Sequence, residues 1–458
     1  MTAARAMPYL AAGAAGAGVS FALSAQAPLL RSAPVLIVGV AGAVALAIAS
    51  RRGALALVMI APFFPVSFGI SGATIGPPDA AVGLVLAVWA WRMIAQHRLA
   101  IPRTRGDWPI AALLLACAAA ALASALSAGP VPPGTTVKKL LQLVFSFVAL
   151  YYFVAASAHE RESLRFAVAV FLGFSALEAL YAVLFQFVPR QMGMSGLWLP
   201  YLANRASARA MGTVDASFGH YMAAALLLAL GLAAQERGRL GSAARVAAPI
   251  LFAGLISSGT RGSAIATAAG IAVLVAFSPR RHLVLARVVG LIGLLGATVL
   301  VVPQVASPEK LGLLFTSHGG SHIAVRLLSW KIGWGLALAH PWLGMGPGAN
   351  ALTVEALVGV PAEALRYVEG TMNAYLQAFV EMGVVGAAGL LGFICAVSAG
   401  AVARGARGNG LALGLGSAVV ALGVTGLTGP LLMGGIGHLL FALAGLAAAA
   451  SASQDQRA

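Results

Sequence analysis

Long apolar runs separated by short polar stretches extend along almost the whole chain. The runs do not alternate apolar with polar residues, as the strands of a transmembrane barrel do. At roughly 20 residues per crossing, the pattern predicts about 12–14 transmembrane helices and an all-α fold. The approximate apolar segments are 8–27, 33–50, 53–69, 79–95, 108–127, 138–157, 164–188, 215–234, 246–259, 262–277, 285–303, 373–400, 411–428 and 431–450.

The composition excludes a soluble protein. Of the 458 residues, 60% are apolar and 9% are charged, whereas a soluble domain carries about 25% charged residues. Cys117 and Cys395 lie in separate apolar runs, so we interpret them as small buried hydrophobes and not as a disulfide or metal pair. The net charge of +16 comes mainly from loop arginines, which we expect to set the membrane orientation and to meet lipid phosphate.

The polar stretches leave one integral membrane domain with two long outward loops. If each run crosses the membrane, most of the 29 Lys and Arg residues lie on the side of the N-terminus, so that side and both termini are predicted to be cytoplasmic. Residues 324–339 are predicted to form an amphipathic helix with Arg326, Trp330 and Trp334 on one face. The predicted parts are transmembrane helices in 1–188, an outward loop in 189–214, transmembrane helices in 215–303, a large outward loop in 304–371 and transmembrane helices in 372–458.

The basic residues predicted to face outward form groups. Arg261 lies in a tight turn, 257–263, between two apolar runs. Because Lys and Arg are disfavoured on the outer side and a guanidinium binds phosphate oxygens bidentately, the groups indicate an external anionic ligand. Anionic lipid headgroups or helix-end anchoring are the alternative. The members in the long loops are Arg190, Arg205 and Arg209 in the first loop, and Arg326, Lys331 and Arg366 in the second.

A stripe of polar residues begins one predicted span. Asn373, Gln377 and Glu381 recur every four residues and therefore share one helix face. Glu381 would lie about 12 Å along the helix from Asn373, and an ionisable group at that depth usually faces a polar cavity or a partner. The stripe is a candidate site, and hydrogen bonding between helices is the alternative, above all for Gln377.

The chain lacks the common metal and nucleotide motifs. No His-Glu-x-x-His, Gly-x-x-x-x-Gly-Lys-Ser/Thr, Cys-x-x-Cys or Asp-x-Asp sequence occurs. His318 and His322 have a helical spacing, but Gly319 and Gly320 between them favour a solvated loop. We therefore expect no metal site.

Four stretches, taken in order, resemble motifs of the O-antigen ligase/polymerase superfamily of bacterial polysaccharide enzymes. The resemblance extends over about residues 205–400, and the order of the motifs is more specific than any one of them. The first two are Arg209-Ala-Met-Gly-Thr-Val-Asp-Ala-Ser217 and Ser258-Gly-Thr-Arg-Gly-Ser-Ala264. The third is Arg326-Leu-Leu-Ser-Trp330 with Pro341-Trp-Leu-Gly-Met-Gly-Pro-Gly348, and the fourth is Met372-Asn-Ala-Tyr-Leu-Gln377 with Glu381-Met-Gly-Val-Val-Gly386.

This resemblance implies a GT-C-like glycosyltransferase at the outer, periplasmic face of the bacterial cytoplasmic membrane. The implied donor is a glycan on undecaprenyl diphosphate, in a lipid environment and without nucleic acid. The acceptor is lipid A–core for a ligase or a lipid-linked glycan for a polymerase. The family inverts the anomeric centre without a metal, so no cofactor is expected. Arg261 and Arg326, with Arg209 as a third, are assigned by resemblance to the diphosphate, where arginines can replace Mg²⁺.

One position departs from the family pattern. The family's histidine before the asparagine is Met372 here, and methionine cannot accept a proton. We hypothesise that Glu369 is the replacement base and that it acts beside Asn373, while an inactive protein is the alternative. Further candidates for the base are Glu363, His318 and His322, and supporting roles are assigned to Met372, Gln377, Glu381 and Trp330.

Two other classes of function remain open. A transporter or flippase for an anionic lipid would use the outward arginines for recruitment, with Glu381 and Glu178 as buried gating groups. Transporters commonly have repeated halves with broken helices, and no internal repeat is visible in this sequence. An inactive scaffold of a polysaccharide assembly complex is the third hypothesis.

Overall fold

The computed structural model shows a bundle of helices. The first predicted long loop, 189–214, lies outside the described residues, as do nearly all residues of the first two predicted spans, whereas most of the second predicted loop, 304–371, is described. The residues described are 50–63, 68–70, 73–75, 77–97, 101–127, 130–185, 217–301, 320–357, 370–432 and 434–452, together with Gly42.

We number the helices and strands of the described residues in chain order. The helices are α1 (Arg51–Ile60), α2 (Pro77–Ala95), α3 (Asp107–Leu126), α4 (Pro133–Ser157), α5 (Arg161–Phe185), α6 (Phe218–Gln235), α7 (Arg239–Ser258), α8 (Arg261–Phe277), α9 (Arg281–Val301), α10 (Gly320–Ala339), α11 (Leu352–Glu355), α12 (Ala374–Ala406), α13 (Gly410–Thr425) and α14 (Gly434–Ala452). A hairpin of two short strands, β1 (Phe68–Ile70) and β2 (Ala73–Ile75), joins α1 to α2. The middle of α4, Gln142–Ala149, is π-helical.

The predicted all-α membrane fold is confirmed. Among the described residues, seven helices are long and apolar enough to cross a membrane, namely α3, α4, α5, α6, α7, α12 and α14. Helices α8 and α13 are apolar but shorter. The protein is therefore a multi-pass membrane protein.

One predicted span, 53–69, differs from the structure. Helix α1 ends at Ile60, a 3-10 turn covers Ala61–Phe63, and β1 begins at Phe68. Pro62 lacks the backbone N–H that a continuing helix would need, so a continuous apolar run does not become one continuous helix.

Helix α6 lies at the centre of the bundle, where almost all of its residues are buried. It packs against α7, α8 and α13. A Cβ on Gly231 would lie 2.7 Å from the carbonyl oxygen of Gly410, so the backbones of α6 and α13 meet almost directly. Small residues allow such close packing between membrane helices, where the lipid itself provides little hydrophobic driving force.

The two ends of the bundle differ in charge. At the end that we call the basic end, Arg52 pairs with Glu162 at 2.7 Å and Arg165 pairs with Glu236 at 3.0 Å. The opposite end, which we call the loop end, holds the first turns of α6, α8, α12 and α14. Further basic residues near the helix termini of the basic end are Arg51, Arg161, Arg237, Arg239, Arg280, Arg281, Arg404 and Arg407.

Helix α12 is broken at Gly383, which has φ 67° and ψ −171°. The break frees the carbonyls of Val380 and Glu381, which accept hydrogen bonds from the N–H groups of Met345 (2.8 Å) and Gly346 (3.1 Å). Residues 341–348, which we call the glycine loop, therefore form backbone hydrogen bonds with the break. The part of α12 after Gly383 is about 35 Å long and can cross a bilayer by itself.

We expect Gly383→Ala to destabilise the protein by about 3 kcal/mol, because this backbone region is essentially restricted to glycine. A Cβ there would also overlap the carbonyl oxygen of Trp342 in the glycine loop. Thermal unfolding of the purified protein in detergent measures the effect. Gly392→Ala on the same helix is the control, because its Cβ would meet Pro109 at an ordinary 3.6 Å. Equal unfolding temperatures for the two variants would contradict the prediction.

Candidate functional site

A tight turn at the loop end places Arg261 at the first position of α8. Gly259, with φ 58°, ends α7, and Thr260 precedes α8. The hydroxyl of Ser258 accepts a hydrogen bond from the N–H of Thr260 at 3.2 Å and donates to the carbonyl of Leu255 at 2.6 Å. The predicted turn 257–263 is therefore real, and its geometry depends on its serine as well as its glycine.

A buried histidine that the sequence did not single out lies against this turn. Nδ1 of His220, in the first turn of α6, is 2.7 Å from Oγ of Ser263 in the first turn of α8. His220 is 8% exposed and Ser263 is fully buried. The signal in the sequence was a histidine at the start of an otherwise apolar span, but only the fold shows its partner.

Helix α10 brings Arg326 to the same place. The guanidinium of Arg326 is close enough to His220 for the two groups to interact electrostatically. Arg326 thus lies within electrostatic range of the histidine that contacts the Arg261 turn, although 65 positions separate the two arginines in the sequence.

The predicted helix 324–339 lies within α10, and its most buried face is the one beside the Arg–Trp face, although Trp330 is half-buried against the bundle. Val325, Ser329 and Ala337 are buried, whereas Arg326 and Trp334 are exposed. Small side chains thus bring α10 against the bundle, and the neighbouring face presents the guanidinium of Arg326.

The side chain of Glu381, in addition to its backbone, interacts with the glycine loop. Gly344, Gly346 and Gly348 all have positive φ, at 68°, 103° and 97°, which orients successive N–H groups toward α12. The carboxylate of Glu381 lies within hydrogen-bonding reach of the N–H groups of Gly348 and Asn350. Glu381 is 5% exposed, so these N–H groups supply polar partners that the buried carboxylate needs.

Of the predicted polar stripe, Gln377 and Glu381 lie one turn apart in α12 and bond to each other, whereas Asn373 lies at the N-cap position before the helix. Nε2 of Gln377 donates to Oε1 of Glu381 at 3.4 Å, and Lys139 of α4 lies within electrostatic range of Glu381. Lys139, Gln142 and Glu381 line a small cleft beside the π-helical part of α4. Lys139 and Gln142 were not predicted, because nothing in the local sequence links them to Glu381.

Asn373 caps α12. Its Oδ1 accepts hydrogen bonds from the N–H groups of Tyr375 and Leu376, both at 3.0 Å. Before it, Met372 has a positive φ of 51°, and the N–H of Thr371 donates to Oδ1 of Asn350 at 2.9 Å. The Asn373 carboxamide therefore has a structural role in addition to any chemical one.

The connection between α13 and α14 links this cap to the Arg261 turn. The N–H of Ala374 donates to the carbonyl of Gly426 at 2.8 Å. A Cβ on Gly262 would lie 2.8 Å from Oγ1 of Thr428. The segments carrying Arg261 and Asn373 therefore both contact one short connection, as their assignment to one site requires.

Several predicted site residues lie outside the described part of the chain. They are Arg209 and Glu369, with Glu363 and His318 among the further candidates for the base; His322 begins α10, but its side chain is not described. Among the described residues, no three His, Cys, Asp or Glu side chains are grouped as metal ligands.

Residues 246–391 match the family described as O-antigen ligase (Wzy_C). The chain contains an O-antigen ligase domain. This match to residues 246–391 confirms the superfamily resemblance inferred from the motifs and favours a glycosyltransferase-type enzyme. A comparison with curated proteins gives no match.

The O-antigen ligase domain includes the Arg261 turn, α10, the glycine loop and the broken part of α12. Some of the residues that contact this domain at the loop end lie outside the matched range. His220 of α6 and Lys139 of α4 both precede residue 246, and the connection after α13 follows residue 391. The candidate site thus includes residues from helices on both sides of the matched range.

Replacing Glu381 with Gln should lower the free energy of unfolding by about 2 kcal/mol, because an amide cannot serve all the buried donors as a carboxylate does. Hydrogen exchange should increase at the backbone amides of 345–350. Thermal unfolding in detergent and hydrogen exchange with mass spectrometry measure the two effects. Glu355→Gln, at an exposed carboxylate of α11, is the control and should behave as the unchanged protein. Unchanged protection of the glycine loop in the Glu381 variant would refute the role given to this carboxylate.

Proposed function

We propose that this glycosyltransferase moves a glycan from undecaprenyl diphosphate to an acceptor hydroxyl of lipid A–core, with inversion and without a metal. The O-antigen ligase domain supports the reaction class and the use of a lipid-linked glycan. The observation that carries the proposal is the placement of Arg326 and the Arg261 turn around His220. Two guanidinium groups from distant parts of the chain then face one diphosphate.

Glycosyl transfer requires stabilisation of the leaving diphosphate. The acceptor oxygen forms a bond to the anomeric carbon, the bond from that carbon to the diphosphate oxygen breaks, and the electron pair leaves with the diphosphate. Arg261 and Arg326, with Arg209 as a third cation, stabilise this charge through charge-assisted hydrogen bonds. The N-termini of α6 and α8, which meet at the same place, add favourable partial positive charge.

The acceptor hydroxyl loses a proton during transfer, and Met372 cannot take it. In our proposal Glu369, close to Asn373 in the sequence, accepts that proton. The structure of 370–373 is compatible with this, because the sharp turn at Met372 starts α12 at the loop end. Gln377, Glu381 and Trp330 support the site by holding α10, α12 and the glycine loop together.

The charge distribution supports an orientation in the bacterial inner membrane. Arginines concentrate at the basic end of the bundle, and basic loops remain cytoplasmic. In the proposed orientation the loop end, with Arg261 and Arg326, faces the periplasm and both termini are cytoplasmic. The donor then reaches the site from the outer leaflet, as lipopolysaccharide biosynthesis requires.

We expect Arg261→Ala and Arg326→Ala each to lower transfer at least about 100-fold, because each removes charge stabilisation from the leaving group. Arg261→Lys should recover only part of the rate, since an ammonium cannot bind phosphate bidentately. Transfer by the purified full-length protein in proteoliposomes measures the effect. The control is Arg245→Ala, which removes an exposed arginine near the basic end whose guanidinium donates to the hydroxyl of Ser242. Normal transfer by both site variants would favour the transporter or scaffold hypothesis.

The products distinguish a ligase from a polymerase. The purified protein is incubated with undecaprenyl-diphosphate glycan, with and without lipid A–core, and the products are weighed by mass spectrometry. A ligase forms a lipid A–core glycan and needs the acceptor, whereas a polymerase lengthens the lipid-linked glycan in its absence. We expect ligase products at an unchanged rate in EDTA. Loss of activity in EDTA would contradict the metal-independent mechanism.

A further inference from the structure

The hydrogen bond between His220 and Ser263 joins the first turns of α6 and α8. The two side chains are 2.7 Å apart at Nδ1 and Oγ, and both are buried. A buried hydrogen bond is shielded from water, and leaving either partner unpaired is costly. This bond therefore fixes where α8 begins relative to α6.

The start of α8 lacks the usual side-chain cap. Thr260 stands at the N-cap position but makes no side-chain capping hydrogen bond, although threonine often caps a helix in this way. Close packing with α6 holds this turn instead: a Cβ on Gly219 would lie 2.8 Å from the hydroxyl oxygens of both Ser258 and Ser263.

Arg261 depends on this anchoring because it is the first residue of α8 and lies only two positions before Ser263. A shift of the first turn of α8 moves the base of the Arg261 side chain with it. Arg326 approaches the same histidine from α10. His220 is therefore placed to set the geometry between the two arginines.

We propose that His220 is a positioning residue for glycosyl transfer: through Ser263 it holds the first turn of α8 so that Arg261 meets the diphosphate beside Arg326. This inference rests on the proposed function and adds a residue of α6, outside the O-antigen ligase domain, to the site. In this role the working atom of the imidazole is Nδ1, and its effect passes through Arg261.

A double-mutant cycle tests whether the effect passes through Arg261. Binding of undecaprenyl diphosphate to the full-length protein in detergent is measured for the unchanged protein, His220→Ala, Arg261→Ala and the double variant. We expect His220→Ala to weaken the binding of undecaprenyl diphosphate about tenfold when Arg261 is present, but less than about twofold when Arg261 has already been replaced by Ala. Equal losses in both backgrounds would show that His220 acts independently and would overturn the inference.

Conservative replacements identify the working atom of the ring. Asn carries its amide atoms where histidine carries Nδ1, whereas Gln extends to the position of Nε2. We therefore expect His220→Asn to retain binding and transfer within about threefold, and His220→Gln and Ser263→Ala to lose about tenfold. Rescue by Gln but not by Asn would assign the function to Nε2 and refute the positioning role.

A second buried histidine at the loop end provides the matched control. His438 lies near the start of α14 and is 3% exposed, and its Nδ1 is 2.9 Å from the carbonyl oxygen of Gly434. His438→Asn should leave undecaprenyl diphosphate binding unchanged. If Arg261→Ala binds undecaprenyl diphosphate normally, the proposed function is wrong. If Arg261→Ala loses binding but the His220 variants bind normally, only the positioning role is wrong.

Discussion

The loop end of the bundle depends on how the backbone groups freed at the Gly383 break are satisfied. In a membrane, a helix cannot be interrupted unless other parts of the protein bond to the exposed N–H and C=O groups. The glycine loop does this: Met345 and Gly346 donate to α12, and the N–H of Val384 donates to the carbonyl of Pro341 at 2.9 Å. The glycine loop and the broken part of α12, which begin about 40 positions apart in the sequence, therefore form one structural unit.

Most of the polar stripe of α12 belongs to this unit. Glu381 bonds with the end of the glycine loop, Gln377 bonds with Glu381, and Asn350 connects the same loop to Thr371 just before Asn373. A carboxylate that a sequence pattern marks as a possible gating group thus has a local structural purpose. The cationic groups proposed for diphosphate chemistry lie on other elements, α8 and α10, which the α13–α14 connection and His220 bring near the start of α12.

This division separates the buried carboxylate of Glu381 from the arginines that we propose to bind the diphosphate. The structural unit around Gly383 uses backbone N–H groups to hold one buried carboxylate, and no metal ligands are required for it. Arg261 lies at the start of α8, where the partial charges of α6 and α8 favour an anion. In this scheme the proposed role of His220 is to position another side chain.

The sequence by itself determined the membrane fold, the approximate positions of most described helices, the turn before α8 and most of α10, because each depends on hydrophobicity and turn residues that are close together along the chain. It also indicated Arg261, Arg326 and the α12 stripe as special, since charges and polar groups are costly in lipid. Only the tertiary structure decided that α12 breaks at Gly383, that Lys139 lies beside Glu381, that α10 packs through Val325, Ser329 and Ala337, and that His220 bonds with Ser263. These features depend on side chains and backbone groups that come from distant helices. A local sequence pattern does not predict which helix will contact a given residue.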